Sequence, residues 1–125
     1  MTYLDTHSTV WLRRGDKDAF PKRARRAIEA DDVLLISPIV VLELEMLHEI
    51  GRVKSPAHDF VRDLRNYMGV RVCDYPFALV IDQALAEKWT REPADRIIVA
   101  HARSRRATLI TQDEKIRAHY DLALW

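Results

Sequence analysis

Cysteine occurs once in this 125-residue chain, at Cys73, so an intrachain disulfide and a cysteine-based zinc site are both excluded. Glycine occurs only three times, always isolated. Neither a GxGxxG fingerprint nor a Walker-type phosphate loop is present, which argues against the nucleotide-binding folds that need them. The longest stretch without a charged side chain runs from Val33 to Leu42, far short of a bilayer span. The opening Met-Thr-Tyr-Leu-Asp lacks the basic segment and apolar core of a secretory signal, so a cytoplasmic protein without membrane attachment is expected. The histidines at 7, 48, 58, 101 and 119 make no HxH or HExxH pattern. A bound metal must then be held mainly by oxygen, which selects hard ions such as Mg2+ or Mn2+. The net charge of +1 provides no global field to draw in nucleic acid. Of the 20 basic residues, however, all but 5 lysines are Arg, the side chain suited to forked phosphate contacts.

What is present describes one compact domain over residues 1–125. A composition of 48% hydrophobic and 31% charged residues buries a core and argues against disorder. Short apolar runs alternate with longer helical stretches, the pattern of βα units and a parallel sheet. Strands are expected at Thr2–Leu4, Val33–Ile36, Val70–Cys73, Thr108–Ile110 and Leu122–Leu124. Helices are expected near 6–14, 20–30, 38–50, 56–68, 77–89, 94–106 and 112–119. Gly15, Gly51 and Gly69 directly follow three of these helices, where a left-handed C-cap residue belongs.

Four of the 19 acidic residues stand in unusual places. Asp5 directly follows the first apolar run, and Asp113 stands just past Thr108-Leu109-Ile110. In an open parallel sheet such positions share the edge where ligands bind. The alternative for each is a helix cap or a partner for the helix dipole. At Asp113 the cap is expected from Thr111 and Glu114 as a T-x-x-E capping box. Glu43 falls in register with an apolar stripe of Ile39, Leu42, Met46, Leu47 and Ile50, whereas Glu45 and Glu49 lie on the opposite flank. A carboxylate on a buried face costs several kcal/mol, of the order of ~3–5, unless it is paired with an Arg or binds a metal. Asp95, after Pro93, aligns with Ile98, Val99 and Ala102, with Arg96 as its alternative partner. Carboxylates gathered in one crevice repel one another unless a divalent cation joins them. The chemistry such a site suits is metal-assisted phosphoryl transfer.

Four segments then carry a resemblance: Tyr3-Leu4-Asp5-Thr6-His7, Ser37-Pro38-Ile39-Val40-Val41-Leu42-Glu43-Leu44, Pro93-Ala94-Asp95-Arg96-Ile97-Ile98-Val99-Ala100 and Leu109-Ile110-Thr111-Gln112-Asp113-Glu114-Lys115. In this order they resemble the signatures of PIN domains, and more narrowly the VapC-type toxins of bacterial toxin–antitoxin pairs. The resemblance implies a three-layer α/β/α sandwich around a parallel sheet of about five strands. It implies an endoribonuclease that uses Mg2+ or Mn2+, held by Asp5, Glu43, Asp95 and Asp113, with the Thr111 hydroxyl in support. It also implies a homodimer, an RNA substrate and a small antitoxin that blocks the site. Two departures from the pattern are Glu92, where many relatives carry Asp, and His101, where a small polar residue is frequent; His101 is expected on a helix surface. The run Lys22-Arg23-Ala24-Arg25-Arg26 is expected as a solvated face or a phosphate contact. A phospho-acceptor receiver built on Asp74 and a catalytically inactive PIN-like binding module are the competing readings.

Overall fold

A short run of β-formers, Thr2, Tyr3 and Leu4, starts the chain as β1 (Thr2–Leu4), and all three are buried. Such a run, buried on both faces, suits a strand covered on both sides. Next come α1 (Thr6–Arg14), α2 (Lys22–Ala30) and β2 (Leu34–Ile36), then α3 (Pro38–Glu49), α4 (Ala57–Met68) and β3 (Arg71–Val72). The rest of the chain forms α5 (Phe77–Ala84), α6 (Pro93–Ser104), β4 (Thr108–Ile110), α7 (Glu114–His119) and β5 (Ala123–Leu124). The computed structural model describes residues 1–125, with side chains at every position but 17.

The five strands form one parallel sheet in the order β3-β2-β1-β4-β5. It is the α/β sandwich expected. The chain winds outward from β1 to β3, then returns to place β4 on the other side of β1. The β1–β4 junction is therefore the switch point of the sheet, where the two halves diverge and a crevice opens. Leu4 pairs with both Ile36 and Ile110, so three strands end level with one another.

The core fills both sides of the sheet. Tyr3, Leu4, Ile36, Leu44, Leu64, Leu109 and Ile110 are fully enclosed. Gly15 and Gly69 close α1 and α4 at φ of +71° and +68°, a conformation that costs other residues more. Trp11 and Trp125 pack around Phe20, and Trp89 stacks on His119 with centroids 5.0 Å apart, so all three tryptophans serve internal packing. Among the described residues, no helix is long and apolar enough to cross a membrane.

Two expectations need correction. The helix expected at 77–89 stops at Ala84. Beyond it, Glu87 turns inward to 3% exposure, where it accepts hydrogen bonds from Trp89 Nε1 (2.6 Å) and Arg103 Nε (2.5 Å). That buried pairing overrides a helical periodicity that depends on apolar residues alone. The other correction concerns α3. Its buried residues are Val40 and Leu44, whereas Leu42, Met46 and Ile50 are 55%, 54% and 66% exposed. The helix is apolar nearly all round at its start, so its sequence admits two stripes, and the core takes the one with Val40 and Leu44.

The Glu87–Arg103 pair makes a stability prediction. Arg103→Met leaves a buried carboxylate without its cation and should cost on the order of 3 kcal/mol in urea unfolding. Arg62→Met, which breaks the exposed contact to Asp59, should cost less than about 1 kcal/mol. Equal costs for the two variants would contradict the structural role given to Glu87.

Candidate active site at the strand ends

Asp5 leaves β1 and caps α1, its Oδ1 accepting the Ser8 amide at 2.8 Å. Asp113 leaves β4 and caps α7, with Oδ1 accepting the amides of Lys115 (2.8 Å) and Ile116 (3.0 Å). The helix-cap alternative is therefore true of both residues. Each cap, however, engages a single carboxylate oxygen, and both residues also line a crevice of about 770 Å³.

Glu43 from α3 and Asp95 from the first turn of α6 line the same crevice. The fold thus brings together all four carboxylates singled out in the sequence, from four separate segments. The crevice wall between them is apolar, with Met46, Leu47, Ile50, Ile98 and Ile116. Glu43 therefore sits at a crevice rim and not in the buried stripe expected for it.

The electrostatics show the crowding. Asp95 has its pKa pushed up to about 6, first by burial and then by the negative charges of Asp113, Glu43, Glu92 and Asp5. Burial also raises Asp5, against hydrogen bonds from Thr111 and Ser8 that favour its charged form. No Lys or Arg forms an ion pair with any of the four among the described residues. Arg96, the alternative partner for Asp95, instead donates its Nε to the Thr90 carbonyl at 2.7 Å.

Hydroxyl groups support the site in place of cations. Thr6, buried in the first turn of α1, donates Oγ1 to Glu43 Oε1 at 2.5 Å and lines the crevice. Thr111 is completely buried, and its Oγ accepts the Asp113 amide at 3.1 Å. The capping box expected from Thr111 and Glu114 does not form. Thr111 is drawn inward to Asp5, which leaves Asp113 as the cap. Sequence reasoning missed Thr6, and also His7, Gln112 and Glu114 at the rim. A hydroxyl directly after a strand-end carboxylate was the available signal for Thr6.

The donors fit a hard divalent cation, since all are carboxylate or hydroxyl oxygens. Among the described residues no three acidic, histidine or cysteine side chains lie close enough to share an ion directly. That spacing suits Mg2+, which keeps several waters and takes only one or two carboxylates. Asp74 is exposed after the edge strand and does not reach the crevice. Lys22, Arg23 and Arg26 form an exposed face of α2, and His101 is fully buried, not on a helix surface as expected.

Comparison with known proteins points in one direction. The family model described as the PIN domain matches residues 2–122. Ribonuclease VapC22 of Mycobacterium tuberculosis is 29% identical over 118 residues, covering 93% of this chain and 89% of the relative. The structure of VapBC2 from Rickettsia felis, bound to a DNA fragment from their promoter, has a TM-score of 0.66 at 19% identity, over 100% of this chain and 98% of that one. A toxin–antitoxin complex from Klebsiella pneumoniae has a TM-score of 0.63 at 17% identity, over 100% and 97%. At these identities the two structures establish the fold alone.

The raised Asp95 pKa has a consequence for stability without metal. The folded state holds the proton more tightly than the unfolded chain, so Asp95 costs nothing below its ordinary pKa of 3.8 and its full penalty above about 6. Asp95→Asn should therefore match wild type at pH 3.5. At pH 7.5 in chelator it should gain about 1–2 kcal/mol, a value reduced for the water that reaches this half-buried group. Urea unfolding at the two pH values checks this, and a gain of the same size at both would refute the crowding.

Proposed function

Because this chain belongs to the PIN-domain family, we propose that it is a metal-dependent endoribonuclease and the toxin of a toxin–antitoxin pair. Residues 1–125 act as one nuclease domain in the cytoplasm, with Asp5, Glu43, Asp95 and Asp113 as the carboxylates that bind Mg2+ or Mn2+ and carry the chemistry. The observation that supports this reading most is that four carboxylates share one crevice and none of them has a cationic side chain against it. The name of the Mycobacterium tuberculosis relative supports RNA as the substrate.

A divalent cation held by these carboxylates would lower the pKa of a bound water, so that its deprotonated form can attack phosphorus, and would offset the charge on the leaving oxygen. The residues of the chain prepare the site for it. Asp5 and Asp95, the two acids pushed toward neutrality, give up that tendency when positive charge arrives. Thr6 holds Glu43 by a donated hydrogen bond, which fixes its rotamer. Thr111 does the same for Asp5, and its bond to the Asp113 amide fixes the start of α7.

A small antitoxin is the partner, by likeness to the toxin–antitoxin complexes. An Arg or Lys inserted into the crevice would take the place of the cation and pair with Asp5 and Asp95. A homodimer accords with the exposed apolar row of Leu42, Met46 and Ile50, which a second copy would cover.

The purified protein should cleave RNA with Mg2+ or Mn2+ and stop in excess chelator; continued cleavage there would sink the metal reading. Asp5→Asn and Asp95→Asn should each lose activity by at least about a hundredfold while staying folded. Glu43→Gln should impair metal binding, whereas Glu45→Gln and Glu49→Gln should be nearly silent. Thr6→Val should lower metal affinity about tenfold and Thr6→Ser should restore it. Expression of wild type alone should arrest growth, and the small protein encoded beside it should relieve the arrest. Harmless wild type would remove the toxin role and leave the nuclease to be judged by its cleavage.

A further inference from the structure

His101 takes no part in the chemistry above, yet it is completely buried. Its Nδ1 lies 2.8 Å from Ser37 Oγ, and its ring stacks on Tyr3 of β1 with centroids 6.1 Å apart. Its Nε2 is buried without a hydrogen-bond partner among the described residues. An unpaired buried polar atom is destabilising, and an apolar side chain in the same space would avoid that cost. Packing alone does not account for a histidine here.

The placement of the two ends of this bond suggests its role. Ser37 is the N-cap of α3, and Glu43 stands on that helix from residue 37 to residue 43 onward. Asp95 stands at the start of α6, and His101 follows on the same helix from 95 to 101. The bond therefore joins the two helices that carry opposing carboxylates, roughly 9 Å along each helix from its acid at ~1.5 Å per residue. Among the described residues it is the only side-chain hydrogen bond between α6 and either α3 or its cap.

We propose that the buried Ser37–His101 hydrogen bond is a positioning contact that sets the spacing of Glu43 and Asp95 across the crevice. The proposal rests on the reading of those carboxylates as a cation site. A slip of about 1 Å between helices is enough to cost on the order of a hundredfold in a positioned reaction. Ser37 and His101 touch neither substrate nor cation; they act through the helices. The tautomer that serves best has Nδ1–H donating to Ser37 Oγ, which leaves only a lone pair, and not a buried N–H, at Nε2.

The test compares Ser37→Ala, His101→Leu, His101→Asn and the Ser37→Ala/His101→Leu double variant. Each is measured by Mn2+ calorimetry, by kcat and KM for RNA, and by amide exchange of α3 without metal. His101→Leu and Ser37→Ala should each weaken Mn2+ binding about tenfold and lower kcat with little change in KM, as supporting contacts of metal ligands do. The double variant should be no worse than either single one. His101→Asn, whose amide nitrogen takes the place of Nδ1, should retain most of the affinity. A folded His101→Leu that binds Mn2+ like wild type overturns the proposal, as does His101→Asn impaired to the level of His101→Leu. If His101→Leu does not fold, Ser37→Ala against His101→Asn decides. Wild type that binds no Mn2+, with α3 exchange faster in His101→Leu, removes the cation reading and keeps the contact. Unchanged exchange with Mn2+ binding intact in wild type removes the contact alone.

Discussion

Mutual repulsion of carboxylates at one sheet edge is the constraint on which the rest of this structure depends. Four negative charges in a crevice push one another apart, and two of them are also denied water. Only a scaffold stiff enough to resist that force keeps them together without metal. The parallel sheet provides it, because its switch point aims β1 and β4 at the same edge from adjacent, register-matched positions. The Asp5 amide donates to the Ile110 carbonyl, and Ser8 Oγ reaches the same carbonyl at 3.1 Å, so the start of α1 is fastened to the end of β4. Repulsion then appears as raised proton affinity, not as movement.

The supporting residues are consistent with that constraint. Lys or Arg beside these acids would relieve the repulsion permanently and occupy the place of a cation. The structure sets buried hydroxyls against the acids instead, Thr6 on Glu43 and Thr111 and Ser8 on Asp5. A hydroxyl donates a hydrogen bond to a carboxylate and adds no charge, so it fixes orientation and leaves the negative charge of the crevice uncancelled. The nearest Arg in sequence, Arg96, is tied to a carbonyl and does not reach Asp95. His101 extends the same logic one layer deeper, where a neutral imidazole, its pKa lowered mainly by burial, joins two helices without introducing charge.

Much of this was legible in the sequence, for reasons that differ from residue to residue. β1 and β4 are apolar runs bounded by polar residues, and β-strand ends in a βα pattern converge by topology, so Asp5 and Asp113 could be placed together without coordinates. Asp95 was legible because an acid at a helix start was also in register with Ile98 and Val99, which the fold buries. Glu43 was singled out by a stripe that the structure half exposes. The residue joins the crevice because that stripe lines its wall through Met46, Leu47 and Ile50. The inward turn of Glu87 and the burial of His101 were not legible, because each depends on a partner far along the chain, Arg103 and Ser37 respectively. Local periodicity carries no information about such pairings.

The two strand-end acids also show why a capping reading and a functional reading need not compete. A carboxylate has two oxygens, and an N-cap uses one of them to accept amide hydrogens that the helix leaves unpaired. Capping fixes the side-chain rotamer and places the carboxyl group against the positive end of the helix dipole, which opposes the rise in proton affinity that burial imposes. The cap thus makes a crowded carboxylate easier to keep charged, as a cation site requires. Asp5 caps with Oδ1 inside the fold, and Asp113 caps with Oδ1 at its surface, yet both line the same crevice. Glu43 and Asp95 have no such cap. For Glu43 the Thr6 hydroxyl fixes the side chain, whereas Asp95 faces the charges of Asp113, Glu43, Glu92 and Asp5 with no side-chain hydrogen bond among the described residues. On this argument Asp5 and Asp95, whose proton affinity the fold raises, are the carboxylates whose charge a cation would restore.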